Sequence, residues 1–347
     1  MKRALLIGTY TEKLPHVDGH AAGIVSAVFD GETIAEAVAA APLTNPSWLT
    51  TSADGSRVYS VMETAPDGGV AAFARDTSGA LISLGTVSAG GAEPAHLTLD
   101  PSERFLVVGT YSGGTISVIA LDDDGALGER VAFVQHHGSG PDAGRQESPH
   151  VHQLIFDGVT GDLVVVDLGL GQVLFYRFGD DGQVTLRPEA TISSGPAGPR
   201  HLAFHPDGQH AFVVNELDST VDVLRRSGDR FERAGGASTR PADAVGDNAT
   251  AAVRVSPTGK TVFVTNRGDD TIAVFSFDPA EGLTLVDSEP TRGKTPRDLI
   301  VSRDADRVIV ANQDSDSVAV FAFDEETRSL EFLSLASVPT PVCLRLA

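Results

Sequence analysis

The feature that most constrains the fold of this chain is an internal repeat. Six segments each contain a short apolar stretch, a turn rich in Asp, Pro and Gly, and a second apolar stretch. They are "PSWLTTSADGSRVYSVME" (46–63), "PAHLTLDPSERFLVVGTY" (94–111), "HVHQLIFDGVTGDLVVVDL" (150–168), "PRHLAFHPDGQHAFVVNE" (199–216), "TAAVRVSPTGKTVFVTNR" (250–267) and "PRDLIVSRDADRVIVANQ" (296–313). In most copies a third apolar stretch follows, such as "DTIAVFSF" (270–277). Recurring short strands of this kind predict a ring or stack of similar sheets.

The length of the repeat distinguishes a β-propeller from other folds that are built from repeated strands. We align the copies on the residue before the first apolar pair, and the copy at 150–168 is read as carrying one extra residue. The anchors are then Trp48, His96, His152, His201, Ala252 and Asp298, at spacings of 46 to 56 residues. A period near 50 without convincing helices is typical of a β-propeller blade, whereas a β-helix has a far shorter period.

The two ends of the chain supply the parts of one more copy. "TPVCLRLA" (340–347) is similar to "TPRDLIVS" (295–302) and adds an anchor at Cys343, while "ALLIGTY" (4–10) is similar to "FLVVGTY" (105–111). The last blade is therefore predicted to take its innermost strand from the C-terminus and its other strands from the N-terminus, which leaves no open edge. We predict an all-β, seven-bladed propeller that forms a single domain over residues 1–347. The Ala-rich run "IAEAVAAAP" (34–42) is read as an outer strand because of this blade context.

Composition narrows the partners and the compartment. The net charge is −21, from 47 acidic and 26 basic residues, so nucleic acid and anionic membranes are not expected as partners. The single cysteine, Cys343, cannot form an internal disulfide, which favours a reducing compartment. The apolar run near the N-terminus is too short for a signal peptide, and no run reaches the ~20 residues of a membrane helix. These features predict a cytoplasmic protein, and they leave its oligomeric state open.

Two positions of the repeat vary in charge from copy to copy. Fifteen residues after the anchors, or at the equivalent position, stand Tyr10, Glu63, Tyr111, Leu168, Glu216, Arg267 and Gln313. Immediately before the anchors stand Ser47, Ala95, Val151, Arg200, Ala251, Arg297 and Val342. In an antiparallel pair the start of one strand lies beside the end of the next, so both sets are expected at one mouth of the channel. A purely structural repeat favours one residue type at each position, and this variation therefore indicates a ligand site.

The segment "GRQESPHVHQ" (144–153) falls on the same mouth. His150 and His152 are two residues apart and would share one face of a strand. The irregular stretch before them (136–149) is the longest in the chain, and long ordered loops often carry function. The candidate substrate-binding residues at this mouth are Arg145, Gln146, Asn215, Asn266, Arg297 and Gln313.

The segments "GRQESPHVH", "VVDLGLGQVLFY", "GPRHLAFHPDGQHAFVVNELDSTVDV" and "VSPTGKTVFVTNRGDDTIAVF" together resemble the propeller lactonase family. That family contains bacterial 6-phosphogluconolactonases and fungal carboxymuconate cyclases, and the resemblance covers essentially the whole chain. It implies a site with one essential His, two Arg and one Glu. The matching residues here are Arg200 of "GPRH", Glu216 of "NEL" and Arg267 of "NRG", with either His150 or His152 as the histidine.

These residue types suit hydrolysis of an anionic sugar lactone, with 6-phosphogluconolactone as the first candidate. Glu216 or a histidine would take a proton from water, while Arg200 and Arg267 would bind an anion and stabilise the oxyanion. Lactonising cycloisomerisation of a carboxymuconate is the alternative reaction. A binding module without catalysis is the other alternative function. A structural ion pair between neighbouring blades is a separate alternative to a catalytic role for Glu216 and Arg267. Two histidines on one strand face together with a carboxylate could also bind zinc. The spacing of the sequence does not indicate which residue would be the third ligand, so no metal and no cofactor are expected.

Overall fold

The computed structural model describes residues 2–347, and over that range it is built from strands and turns without an α-helix. The strands form seven radial sheets, which confirms the predicted seven-bladed propeller. Each sheet has four strands, except that the third carries one extra short strand, and in the first six sheets the four main strands run in chain order from the channel outward. Three 3₁₀ turns interrupt the loops, at Pro188–Ala190, Gly195–Ala197 and Gln313–Ser315.

The N-terminal segment contributes to the last blade and to one small hairpin. Its strands are β1 (Arg3–Thr9), β2 (Lys13–Leu14), β3 (Val17–Asp18), β4 (Ile24–Phe29) and β5 (Ile34–Ala41). Within residues 2–347, the hairpin β2–β3 has no counterpart in the other blades. The Ala-rich run is the outer strand β5, as predicted, because pairing with β4 overrides the helical preference of alanine.

The first six blades follow one another along the chain. Blade 1 consists of β6 (Leu49–Thr51), β7 (Arg57–Met62), β8 (Gly69–Arg75) and β9 (Leu81–Ser88). Blade 2 consists of β10 (Pro94–Leu99), β11 (Phe105–Thr110), β12 (Thr115–Leu121) and β13 (Leu127–Gln135). Blade 3 consists of β14 (Val151–Phe156), β15 (Leu163–Asp167), β16 (Gln172–Phe178), β17 (Val184–Leu186) and the extra short strand β18 (Ile192–Ser193). Blade 4 consists of β19 (Pro199–Phe204), β20 (His210–Asn215), β21 (Thr220–Ser227) and β22 (Arg230–Ser238). Blade 5 consists of β23 (Ala249–Val255), β24 (Thr261–Arg267), β25 (Thr271–Asp278) and β26 (Gly282–Pro290). Blade 6 consists of β27 (Pro296–Val301), β28 (Arg307–Asn312), β29 (Ser317–Asp324) and β30 (Ser329–Ser337).

Blade 7 closes the ring with both ends of the chain. The C-terminal strand β31 (Pro341–Leu346) lies innermost and pairs antiparallel with β1, with Leu5 opposite Leu346 and Ile7 opposite Leu344. The strands β4 and β5 complete the sheet. This arrangement is the predicted closure.

The core lies between neighbouring blades rather than inside any one of them. Successive residues of a strand face opposite sides of its sheet, and here both sides are covered. In β24, Val262 and Val264 pack with residues of blade 4, while Phe263 between them packs with residues of blade 6. This is why the second strands of the blades, such as "TVFV", are continuously apolar.

A β-bulge recurs at the start of the inner strands. The register shifts there in blades 2, 3, 4, 6 and 7, and one residue of the inner strand is left without a partner. These unpaired residues are Ala95, His152, Arg200, Arg297 and Val342. Bulges redirect side chains and are frequent beside functional sites.

The bulge corrects the sequence alignment of blade 3. Val151 pairs with Asp167 and Gln153 pairs with Val166, so Gln153 rather than His152 is the anchor, and no extra residue is present. The side chains of the anchors confirm this register, since His96 accepts a hydrogen bond from the Leu154 amide and Gln153 accepts one from the Leu202 amide. His152 thus takes the bulge position that Arg200 occupies in blade 4.

Candidate active site

A cavity of about 340 Å³ lies at the mouth where inner strands begin and second strands end. This volume is within the usual range for small-molecule sites. The five bulge residues named above line it, together with five residues that end second strands or follow them: Tyr10, Glu63, Tyr111, Glu216 and Arg267. The two variable positions of the repeat therefore meet at one site, as the sequence predicts.

Three guanidinium groups surround one buried carboxylate in this cavity. Glu216 Oε2 accepts a hydrogen bond from Arg200 Nε at 2.9 Å and forms an ion pair with Arg267 Nη2 at 2.7 Å. Its other oxygen, Oε1, contacts Arg145 Nη2 at 2.5 Å. Burial alone would raise the pKa of the Glu216 carboxyl, but the three guanidinium groups hold that pKa well below its usual range. Glu216 therefore stays ionised and positions the arginines.

Backbone carbonyls of blade 5 fix two of these arginines, Arg200 of blade 4 and Arg267 of blade 5 itself. Arg200 Nη1 donates to the Ala251 carbonyl at 2.8 Å, and its side chain is only 3% exposed. Arg267 Nη2 also donates to the Thr250 carbonyl at 2.8 Å, and its Nε is buried without a hydrogen-bond partner in the described part of the chain. Arg267 thus keeps one donor that no protein group uses.

His152 lies beside this cluster. Burial and the charge of Arg200 lower the pKa of the His152 imidazole well below its usual value, so the ring is neutral at pH 7. Its Nδ1 is buried and has no hydrogen-bond partner among residues 2–347. The ring makes edge contacts with Tyr111 and with His201, at centroid distances of 5.7 and 5.3 Å. A neutral imidazole held in this way can accept a proton.

Two other predicted arginines line the cavity, and they differ in whether another side chain holds the guanidinium group. Arg145 comes from the long loop before blade 3, which carries its side chain to Glu216 on blade 4. Arg297, on blade 6, lies over the ring of Tyr10 with its Cζ 5.7 Å from the ring centroid. Within residues 2–347 the guanidinium of Arg297 has neither an ion pair nor a hydrogen bond, so it is available to an anion.

The other predicted residues lie outside the cavity lining. His150 precedes the first residue of β14, so the strand alternation that would place it on the same face as His152 does not apply. Its ring stacks on Tyr111 at 4.3 Å and its Nδ1 donates to the Tyr111 carbonyl at 3.0 Å. Gln146 is fully buried and donates to the carbonyls of Leu168 and Gly195, which anchors the long loop.

The predicted amides at the ends of second strands also make local bonds. Asn215 donates to the Thr220 hydroxyl, and Asn266 donates to the hydroxyl of Thr271. Gln313 donates to Asp314 at 2.7 Å. These amides stabilise the turns into the third strands and do not face the cavity.

Ten cavity residues were not among the predicted site residues: Tyr10, His16, Ser47, Trp48, Glu63, Glu93, Ala95, Tyr111, His201 and Val342. Glu63 and Tyr10 share the variable position with Glu216, so the repeat contained a signal for them. Ser47 likewise occupies the position before the anchor. His16 comes from the hairpin β2–β3, which lies outside the repeat and gives no such signal.

The fold agrees with comparisons to known proteins. Residues 4–346 match the family model described as a lactonase with a seven-bladed β-propeller. The chain belongs to the seven-bladed β-propeller lactonase family. The prediction of a lactone-hydrolysing enzyme is thereby confirmed at the level of the family.

Individual relatives span the full length of this lactonase. A protein of Bacillus subtilis named 6-phosphogluconolactonase is 34% identical over 346 residues, which cover 98% of this chain and 97% of that protein. A solved structure of a protein from Lactobacillus plantarum is 33% identical, with a TM-score of 0.92 and complete coverage of both chains. The structure of a periplasmic gluconolactonase from Pseudomonas aeruginosa is 30% identical, with a TM-score of 0.93 over 100% of this chain and 99% of that one.

A group of potential metal ligands in this lactonase lies away from the cavity. His205, Asp207 and His210 are close together in the turn between β19 and β20, at the opposite end of blade 4. His210 Nδ1 bonds to Asp207 Oδ2 at 2.9 Å, and the other Asp207 oxygen accepts from the amides of Gln209 and His210. The group therefore stabilises the turn. Separately, within residues 2–347 no helix has the length and apolar character needed to cross a membrane.

Proposed function

We propose that this protein hydrolyses an anionic sugar lactone, with 6-phosphogluconolactone as its substrate, in the cavity at the mouth of the channel. The observation that carries the proposal is the excess of positive charge there. Four arginines line the cavity, and three of them share the single carboxylate of Glu216. In a chain with a net charge of −21, this local reversal of sign attracts an anion into the cavity.

Arg297 is the residue best placed to bind the phosphate of the substrate. The other three guanidinium groups are already bonded to Glu216, whereas Arg297 has no charged partner in the described part of the chain. A guanidinium binds phosphate through paired, charge-assisted hydrogen bonds. The Bacillus subtilis relative is named for a phosphorylated lactone and the Pseudomonas aeruginosa structure for gluconolactone, so the contact with the phosphate is the point that needs testing.

His152 is proposed to activate the attacking water. The alternative base, Glu216, is a poor proton acceptor because three guanidinium groups stabilise its ionised form. Burial and Arg200 also lower the pKa of His152, but its ring is neutral, its Nδ1 has no hydrogen-bond partner among residues 2–347, and it lies on the cavity beside Arg200. A positioned general base contributes about 10²–10⁴ in rate.

Arg200 and Arg267 are proposed to stabilise the oxyanion that forms when water adds to the lactone carbonyl. Both are held rigidly by Glu216 and by backbone carbonyls, so they need little rearrangement as the negative charge develops. The unused Nε of Arg267 is a donor for this role. Glu216 acts through these arginines and is a positioning residue.

The test compares 6-phosphogluconolactone with unphosphorylated gluconolactone by continuous acid release. The wild type should exceed the spontaneous rate on the phosphorylated lactone. Arg297→Ala should raise KM for that lactone by about 10–100-fold, the value of one charge-assisted contact, and should change KM for the neutral lactone little. Arg177→Ala removes the same charge from an exposed site on β16 and is the matched control.

The outcomes separate the competing functions. Folded wild type that gives no rate above background would exclude lactone hydrolysis. Loss of the diene absorbance of a carboxymuconate without water uptake would instead favour cycloisomerisation. A cytoplasmic location also remains part of the proposal, and cell fractionation tests it.

A further inference from the structure

The cavity contains a second buried carboxyl group, Glu63 of blade 1, whose surroundings differ from those of Glu216. The Tyr10 hydroxyl lies 2.9 Å from each Glu63 oxygen and donates to the carboxylate. The Ser47 hydroxyl donates to Oε2. All three residues line the cavity, and each is at most 9% exposed. Two hydroxyls from two blades therefore aim one carboxyl group at the same space as the arginines.

Among residues 2–347, no guanidinium group forms an ion pair or a hydrogen bond with Glu63. Burial raises the pKa of the Glu63 carboxyl, while the hydroxyls of Ser47 and Tyr10 and the more distant charge of Arg297 oppose the rise. The other charged group that faces it is Glu93, from the loop before β10, which also raises that pKa. Of the two buried carboxyl groups of the cavity, Glu63 is therefore the one whose surroundings favour the protonated form, whereas those of Glu216 favour the ionised form.

Lactone hydrolysis requires a proton donor as well as a base. The ring oxygen leaves as an alkoxide, a poor leaving group unless it is protonated as its bond to the carbonyl carbon breaks. Two titratable groups whose environments separate their pKa values commonly divide the acid and base roles of a site. Here His152 is neutral and able to accept, and Glu63 is able to donate.

Given the proposed lactone hydrolysis, we propose that Glu63 is a further catalytic residue, which donates its proton to the ring oxygen as the lactone opens. Water loses a proton to His152 and its oxygen bonds to the carbonyl carbon. The tetrahedral oxyanion collapses, the bond to the ring oxygen breaks, and that oxygen takes the proton of Glu63. The proton on His152 then returns to Glu63 through water. The product is the open-chain hydroxy acid, which releases one proton to solvent.

The experiment measures kcat and KM of the wild type and of Glu63→Gln on 6-phosphogluconolactone from pH 5 to 9, with the spontaneous rate subtracted. Glu63→Gln keeps the shape of the side chain and removes the proton. Its kcat should fall about 100-fold at the wild-type optimum, while KM changes less than about threefold. The wild-type kcat should decline as rising pH ionises Glu63, and this decline should be absent from the variant.

Glu129→Gln, an exposed carboxyl on the outer strand β13, is the matched control and should keep the wild-type profile. If Glu63→Gln does not fold, Glu63→Asp should lower kcat and retain the alkaline decline. A Glu63→Gln enzyme with wild-type kcat, or with the alkaline decline intact, would overturn the role of Glu63 alone. A folded wild type without lactonase activity would overturn the proposed function, and the role of Glu63 with it.

Discussion

Glu63 and Glu216 occupy the same place in two blades, yet their surroundings give them opposite properties. Each follows the end of a second strand, and each backbone amide donates to the carbonyl of a residue with positive φ, Asn45 for Glu63 and Gly198 for Glu216. Three guanidinium groups surround Glu216, whereas two hydroxyls contact Glu63. The shared backbone fixes where a carboxyl group points, and the side chains of neighbouring blades decide whether it keeps its proton.

The largest expected effect is on stability, and its sign should differ between the two carboxyl groups. Glu216→Gln leaves three guanidinium groups without their shared counter-charge, a loss of about 3–5 kcal/mol for a broken buried pair. Glu63→Gln removes a carboxyl group whose ionisation is costly when buried. At pH 8 the melting temperature should therefore fall for Glu216→Gln and stay the same or rise for Glu63→Gln, as measured by calorimetry at a fixed scan rate.

The pH dependence of this pair follows from the two pKa shifts. The pKa of Glu216 is lowered on folding, so its contribution to stability is present above the unfolded value of about 4.3 and is lost as pH falls through the lower folded value. The pKa of Glu63 is raised, so stability is lost as pH rises from about 4.3 through the folded value. The contrast would be contradicted if the melting temperatures of Glu216→Gln and Glu63→Gln, each relative to wild type, changed in the same direction as the pH is varied.

The next largest effect is expected at the arginine side of the cavity. Arg200→Ala should lower kcat/KM for the lactone by about 10²–10³, because it removes a fixed donor to the oxyanion. The sequence places Arg200 at the mouth of the channel, but its side chain is buried, so a lower melting temperature is expected as well. Steady-state kinetics with near-ultraviolet circular dichroism separates the two effects. Arg200→Lys, which keeps the charge but not the paired geometry, should recover only part of the activity.

The smallest effect concerns the hydroxyl that donates to Glu63. Tyr10→Phe removes a hydrogen bond to the ionised carboxylate, which raises the pKa of Glu63 further. The alkaline decline of kcat should move upward by about one pH unit. Tyr59→Phe loses a hydroxyl that donates to the Gly125 carbonyl away from the cavity, and it should leave the profile in place. A downward shift for Tyr10→Phe would show that the hydroxyl does not stabilise the ionised form.

The fold could be predicted from sequence because each blade repeats the same information. A strand that is ambiguous alone, such as the Ala-rich β5, is assigned by its copies in the other blades. The closure of the ring was equally visible, since the last blade contains a recognisable inner strand at one end and recognisable outer strands at the other. The register of blade 3 was misplaced by one residue because the bulge displaces His152, and a bulge leaves no mark in an apolar pattern.

The candidate site was accessible to the same reasoning only in part. Arg145, His152, Arg200, Glu216, Arg267 and Arg297 all reach the cavity. His150 does not reach the cavity, because it lies just before the strand begins. The two-residue spacing between His150 and His152 does not reveal where that strand begins. Asn215, Asn266 and Gln313 have the residue types of a binding site, but their local partners become visible only in three dimensions. The role proposed for Glu63 depends on contacts across two blades, which no single segment of sequence contains.

The recurring bulge has a consequence for how such a protein can change or be redesigned. A residue with no partner in the ladder can be exchanged without disturbing the pairing of the strand around it. Ala95, His152, Arg200, Arg297 and Val342 thus form a set of positions where a combinatorial library could vary cavity chemistry while the surrounding blades keep their sequence. Substrate range in this architecture can diversify one blade at a time.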